Sequence, residues 1–232
     1  SAIAEAASLG SDIDKAVVLP NGMVIDEFER PYMARAEAMQ SMLADPSSHT
    51  WNLVYIARLV PIKGLLDLIE SMRILRERGV RFHLDVCGPT EHMPDYFDQC
   101  ADRIAELDLG DWITIRGTIK VRECLGDWDL FLLPSYNEGL PCVSLETMGA
   151  GIPTVSTDVG AVRPVVEEDI VAPDGTVWGP CGYVIEPGDP LVINVDVDVD
   201  GRVEDPVLGI GIDSPLGQVV YGTNTKLMDR QL

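Results

Sequence analysis

Two short stretches hold residue types from which a phosphate- and sugar-handling site can be built. The first is Ala57-Arg58-Leu59-Val60-Pro61-Ile62-Lys63-Gly64. Its two cations fall at the end of an apolar, strand-forming run and just ahead of a helical pattern. At such a place an Arg forks two oxygens, a Lys adds a point charge and a helix N-terminus adds its amides, which together describe a diphosphate site. Taken alone, Arg58 and Lys63 read as ordinary surface cations. The second stretch is Ser135-Tyr136-Asn137-Glu138-Gly139-Leu140-Pro141-Cys142-Val143-Ser144-Leu145-Glu146, in which two glutamates bracket seven residues. Glu138 falls in the loop after a second apolar run. Gly139 lets the backbone come close to a ligand. The amides of 140–143, with Pro141 at the helix entry, point at an anion, and Glu146 lies one turn inside the helix. Carboxylates accept hydrogen bonds from sugar hydroxyls, so Glu138 and Glu146 can hold two hydroxylated groups flanking a phosphate. Taken alone, Glu138 reads as a capping or surface residue. Glu146 sits beside Leu145 and Met148, where an unpaired carboxylate is expensive.

These residues need a scaffold that brings several loops to one edge, and the pattern supplies it. Strand-like runs at 51–58, 81–87, 112–116, 128–133, 152–156 and 182–186 alternate with helical periodicity at 64–78, 95–107, 121–125 and 142–150. Continuous apolar strands separated by amphipathic helices predict a doubly wound α/β domain with a parallel sheet. Ligands in such sheets sit beyond the carboxyl ends of the strands, which is where both stretches fall. The rhythm stops at Pro187-Gly188-Asp189-Pro190. The remainder alternates strictly in Val195-Asp196-Val197-Asp198-Val199-Asp200-Gly201. It then gives strand-like runs at 207–212 and 218–221 around a Pro215-Leu216-Gly217 turn, so an antiparallel β segment is expected. The organisation reads as a linker or cut end over 1–16, an α/β domain over 17–190 and a β appendage over 191–232.

Composition narrows the function. The 232 residues carry a formal charge of -21, from 38 acidic and 17 basic side chains, and show no basic stripe. Nucleic-acid binding, which depends on releasing counterions from phosphates, is therefore not expected. The acidity itself reads as a solubility device. The five cysteines are odd in number and lack a CxxC spacing, which argues for reduced thiols and a cytoplasmic setting. His49, His83 and His92 have no metal-ligand spacing and read as surface or loop residues. Asp196, Asp198, Asp200 and Gly201 fit the first half of a calcium loop, but Val207 stands at its closing position, and a strand with one wet face explains the alternation better. No GxGxxG opens a helix, and neither GxxxxGK[ST] nor GxSxG occurs.

Several pieces together resemble a known family. Pro20-Asn21-Gly22, Arg58 with Lys63-Gly64, the two-glutamate stretch, Gly149-Ala150-Gly151-Ile152-Pro153-Thr154-Val155 and Thr157-Asp158-Val159-Gly160-Ala161 stand in the order and spacing of the donor half of a family 4 glycosyltransferase of the GT-B fold. Val60-Pro61-Ile62-Lys63 is similar to the branch making Pel-type exopolysaccharide. The resemblance implies a retaining, metal-independent transferase that moves a hexosyl group from a UDP- or GDP-sugar to a glycan acceptor in polysaccharide synthesis. Arg58 and Lys63 would then bind the donor diphosphate, with Glu138 on the transferred sugar. Gly139, Leu140 and Pro141 would bring backbone to sugar and phosphate, and Glu146 would hold the ribose. The catalytic set it implies is Glu138, Arg58 and Lys63. The nucleotide-sugar is a substrate, so no cofactor and no metal are implied. The base would lie by Pro89-Thr90-Glu91 or Thr118-Ile119. The resemblance also implies an acceptor-binding N-terminal domain as partner, without which the chain binds donor but transfers nothing. It places the work in the cytoplasm, and a peripheral position at the inner face of the membrane is compatible with it. The last 40 or so residues resemble part of the sugar-binding β-sandwich attached to the ATPase of O-antigen polysaccharide exporters. That resemblance keeps two alternatives open: a noncatalytic carbohydrate-binding protein, or a partner subunit of an export or synthesis system.

Overall fold

The computed structural model describes residues 49–171, 175, 177–178, 180–185, 210–213 and 219–222, with single positions at 21, 23, 24, 28 and 31; for 170–171, 178, 210–213 and 219–222 it describes the backbone only. The expected segment 1–16, the boundary at 187–190, the alternating run at 195–201 and the turn at 215–217 lie outside the described residues.

Six strands form one parallel sheet: β1 (Trp51–Ile56), β2 (Phe82–Cys87), β3 (Ile113–Gly117), β4 (Leu130–Leu133), β5 (Thr154–Thr157) and β8 (Gly182–Ile185). Their order is β3-β2-β1-β4-β5-β8, and every neighbouring pair runs parallel. The order reverses direction between β1 and β4, which makes the carboxyl ends of those two strands the topological switch point of the sheet.

Two apolar layers cover the sheet. Helices α1 (Leu65–Glu77) and α2 (Pro94–Glu106) bury Leu65, Leu68, Ile69, Met72, Leu75, Tyr96, Cys100 and Ile104 against one face. The spacing of three and four in α1 is what one buried helical stripe requires. On the other face, α3 (Val121–Cys124), α4 (Cys142–Gly149) and α5 (Val162–Val166) pack with Leu125, Trp128, Ala150, Ile152, Val162, Val166 and the wholly buried Phe28. All four residues of β4 are buried, as expected of a central strand covered on both sides.

The doubly wound architecture matches the sequence expectation, with local differences. Strand β4 starts at Leu130, because Trp128 and Asp129 lead into it after a single 3-10 turn over Leu125–Asp127. Helix α5 and a small antiparallel pair, β6 (Ile170–Val171) with β7 (Val177–Trp178), were not expected; each is too short to show a period. His83 lies within β2, and His49 is half-buried with Nε2 2.9 Å from Asp129 Oδ2. The antiparallel tail expected from turn chemistry is present as β9 (Ile210–Asp213) paired with β10 (Val219–Gly222). Among the described residues no helix is long and apolar enough to cross a membrane.

Burial also fixes the state of the thiols. Cys87 is pushed up to about 12, and Cys100 and Cys181 to about 11, in each case chiefly by burial. Between pH 9 and 11 an unfolded chain loses these protons while the folded one keeps them, so the folded state binds more protons and loses stability as pH rises. We expect the urea midpoint to hold up to about pH 9 and then fall, each thiol contributing up to ~1.4 kcal/mol per pH unit. Equilibrium unfolding at half-unit steps checks this, and Cys87→Ala should flatten the alkaline slope.

Candidate functional site

The loop after β1 and the loop after β4 meet at the point where the strand order reverses. The first becomes a 3-10 turn at Pro61–Lys63, ended by Gly64 in the left-handed conformation with φ 70. A Cβ at Gly64 would lie 2.0 Å from the carbonyl oxygen of Pro134, so only glycine lets the two loops come this close. Tyr136 donates its backbone N–H to the Ile62 carbonyl at 2.8 Å. Its hydroxyl donates to Asp67 Oδ2 at 2.5 Å, which holds the phenolic proton and raises its pKa.

This closeness lets Lys63 and Glu138 meet. Lys63 Nζ donates to Glu138 Oε1 at 2.6 Å, with side-chain exposures of only 14% and 10%. Ser135 Oγ donates to the same oxygen at 2.8 Å. Ser135 is itself held from β5, where the Thr157 hydroxyl donates to its carbonyl. On the far side, a Cβ at Gly160 would lie 2.3 Å from the carbonyl oxygens of both Glu138 and Gly139, and Ala161 N–H donates to Gly139 O at 2.8 Å. Asn21 Nδ2 reaches Leu140 O at 2.7 Å. The Glu138 loop is thus fastened on three sides.

Helix α4 begins directly after this loop. Pro141 is its N-cap and offers no side-chain cap, so the amides of the first turn point out of the helix beside Gly139 and Leu140. One turn further in, Glu146 Oε1 accepts from Arg122 Nε at 3.2 Å. The Arg122 guanidinium lies over the Phe28 ring, 5.5 Å from its centroid. Pro89, Thr90 and Glu91 follow β2 at the same edge, and Thr118 and Ile119 follow β3; Gly88 N–H donates to Gly117 O at 2.8 Å, joining the two loops.

The structure therefore brings Lys63, Glu138, Gly139, Leu140, Pro141 and Glu146 to one edge of the sheet. Arg58 lies past the end of β1, since the strand stops at Ile56; it is exposed and has no ion pair or side-chain hydrogen bond among the described residues. Sequence reasoning grouped Lys63 with Arg58, its neighbour in the chain. The three-dimensional partner of Lys63 is Glu138. Sequence reasoning also missed Ser135, Arg122 and Phe28. Ser135 stood inside the quoted stretch, three residues before Glu138, and that spacing was its only signal. Among the described residues no three His, Cys, Asp or Glu gather as a metal-binding group.

Comparisons with known proteins bear on this arrangement. The family described as Glycosyl transferases group 1 matches residues 50–193, more than half of the chain, and the Wzt C-terminal domain matches residues 181–232. The chain is 30% identical over 151 residues to the amylovoran biosynthesis glycosyltransferase AmsK of Erwinia amylovora, covering 60% of this chain and 36% of that protein. It is 28% identical over 191 residues to the putative colanic acid biosynthesis glycosyltransferase WcaL of Salmonella typhimurium, covering 78% of this chain and 43% of that protein. The chain thus spans less than half the length of either relative. Its fold is similar to that of Anabaena HepE, crystallised with UDP and glucose, with a TM-score of 0.61 at 19% identity over 80% of this chain and 47% of that one.

The Lys63–Glu138 contact is open to direct measurement. Removing one partner leaves the other charge in a poorly solvated place, whereas removing both does not. Lys63→Met and Glu138→Gln should therefore each destabilise the fold, and the double variant should be less destabilised than their sum. A coupling of about 1–3 kcal/mol is expected from a urea double-mutant cycle.

Proposed function

Because the chain belongs to the glycosyl transferases group 1 family, we propose that it is the nucleotide-sugar-binding half of a retaining glycosyltransferase, one that moves a hexosyl group from a UDP- or GDP-sugar to a glycan acceptor in polysaccharide synthesis. The observation that carries this reading is the pairing of Lys63 with Glu138 at the topological switch point, directly beside the uncapped N-terminus of α4. Lys63, exposed Arg58 and the α4 amides supply positive potential for a diphosphate. Glu138 supplies a half-buried acceptor for the hydroxyls of the transferred sugar, and Glu146, some two turns of chain later, an acceptor for ribose hydroxyls. When the bond between the sugar and the diphosphate breaks, negative charge grows on the leaving phosphate. Lys63, Arg58 and the helix terminus lie where they lower that barrier electrostatically, a role that needs no metal.

We place the unit that does this at residues 17–190, with 1–16 as a linker and 191–232 as a β appendage, part of a β-sandwich. The names of the relatives, the amylovoran biosynthesis glycosyltransferase AmsK and the putative colanic acid biosynthesis glycosyltransferase WcaL, support the substrate class. Transfer also needs an acceptor held in register opposite Glu138, and alignment of that kind supplies several kcal/mol. The chain alone is therefore expected to bind donor without turnover. A cytoplasmic setting, at the inner face of the membrane, suits a nucleotide-sugar donor. The match of residues 181–232 to the Wzt C-terminal domain favours a second reading, in which the tail contributes carbohydrate binding to a synthesis or export assembly.

Titration calorimetry tests the donor site. UDP or GDP should bind in the presence of a chelator, and a strict requirement for magnesium or manganese would overturn the proposed chemistry. In the same assay Glu146→Ala should weaken nucleotide and nucleotide-sugar alike. Glu138→Ala should weaken mainly the nucleotide-sugar, by roughly 1.5–3 kcal/mol, as expected for a lost hydrogen bond to a charged group. Equal losses for UDP and UDP-sugar in the Glu138 variant would refute this division of labour.

A further inference from the structure

Glu146 does not stand alone on its helix. Arg122, on the short helix α3 after the edge strand β3, donates Nε to Glu146 Oε1 at 3.2 Å, joining two elements that both rest on the second face of the sheet. The guanidinium is also held from another direction, since it lies over the Phe28 ring at 5.5 Å. Phe28 is completely buried, and its seat is set by α4 itself: a Cβ at Gly149 would lie 3.2 Å from Phe28 Cγ and 2.8 Å from Met23 Cε. The same helix that carries Glu146 therefore carries, one turn later, the bare position against which Phe28 packs. Phe28 and Glu146 fix Arg122 between them, and Arg122 fixes one carboxylate oxygen of Glu146.

An ion pair of this exposure, 52% for Arg122 and 22% for Glu146, contributes little to stability. Its effect is on geometry. A glutamate on a helix can swing through several rotamers, and ordering it when a ligand arrives lowers affinity. Held by Arg122, Glu146 has that order before any ligand is present.

We propose that Arg122 is a positioning residue for recognition of the nucleotide ribose: braced on Phe28, it holds the Glu146 carboxylate in the orientation that accepts the ribose hydroxyls, and so sets discrimination between ribo- and deoxyribonucleotides. This rests on the assignment of Glu146 to ribose made above.

The test compares dissociation constants for UDP and 2′,3′-dideoxy-UDP, with GDP and 2′,3′-dideoxy-GDP run in parallel and the tighter-binding pair used. The unaltered chain should prefer the ribonucleotide by roughly tenfold or more, the loss expected when hydrogen bonds to a charged group are removed. Glu146→Ala should abolish the preference. Arg122→Met should reduce it at least threefold while leaving the melting temperature essentially unchanged, and Arg122→Lys, which restores the charge without the planar fork, should recover part of it. If Glu146→Ala keeps the full preference, the ribose assignment itself is wrong, and the proposed donor geometry with it. If Glu146→Ala abolishes the preference but Arg122→Met keeps it, the assignment stands and the positioning role is overturned. Equal weakening of both nucleotides in Arg122→Met, with the ratio unchanged, likewise overturns it and makes Arg122 a general affinity contact.

Discussion

Lys63 Nζ and Glu138 Oε1 lie 2.6 Å apart although 75 residues separate them in the chain, and they meet only because β1 and β4 are adjacent in a parallel sheet. Much of the local structure follows from that adjacency. Gly64 must be a glycine because the β1 loop passes against the Pro134 carbonyl, and Gly160 must be one because the β5 loop passes under the Glu138 and Gly139 carbonyls. Ser135, held from below by Thr157, points its hydroxyl at the same carboxylate oxygen as Lys63. Few polar groups this poorly solvated are left without a partner, since desolvation of an unpaired charge costs more than most local contacts return. The loop is shaped by the need to satisfy one carboxylate.

The formal charge of -21 is compatible with the anion site proposed for this edge. Net charge acts over long distances and is screened within about 10 Å at 0.1 M salt. On the proposed assignment, a diphosphate at the switch point would meet nearer charges: Lys63, Arg58 and the amides opening α4. Several carboxylates are paired away from this edge. Glu70, Glu77 and Glu106 pair with Arg73 and Arg103 on the outer faces of α1 and α2. Asp85 accepts from Arg116 and from the indole of Trp128. Asp129 caps the start of the sheet through Asn52 N–H and His49. These carboxylates serve the scaffold; those at the switch point, Glu138 and Glu146, are each paired with a cation.

Glu138 and Glu146 also differ in how they are held, and this bears on what each can do. Glu138 is fixed by a lysine from the neighbouring loop and by a serine of its own loop. Glu146 is fixed by an arginine from across the helical layer, backed by a buried aromatic ring. The first pair is short and poorly solvated, at 2.6 Å with exposures of 14% and 10%, whereas the second is longer and more open, at 3.2 Å with exposures of 52% and 22%.

The sequence by itself determined the class of fold and which loops lie at the carboxyl edge of the sheet. Apolar strand runs alternating with helical periodicity specify a parallel sheet covered on both faces, and that architecture directs attention to the loops at 57–64 and 134–141 before any coordinates exist. The turn residues of the tail foretold the antiparallel pair β9–β10 in the same way. These signals are local: periodicity, a helix entry through proline and a glycine at a turn can be read within a window of a few residues. Only the tertiary structure decided who meets whom. That Lys63 answers to Glu138 and not to Arg58, that Glu146 is held by Arg122, and that Phe28 supports both through the bare position of Gly149 all follow from strand order and from helices sharing a face of the sheet. Such pairings depend on distances across the fold between residues far apart in the chain, and no local pattern in a single sequence records them.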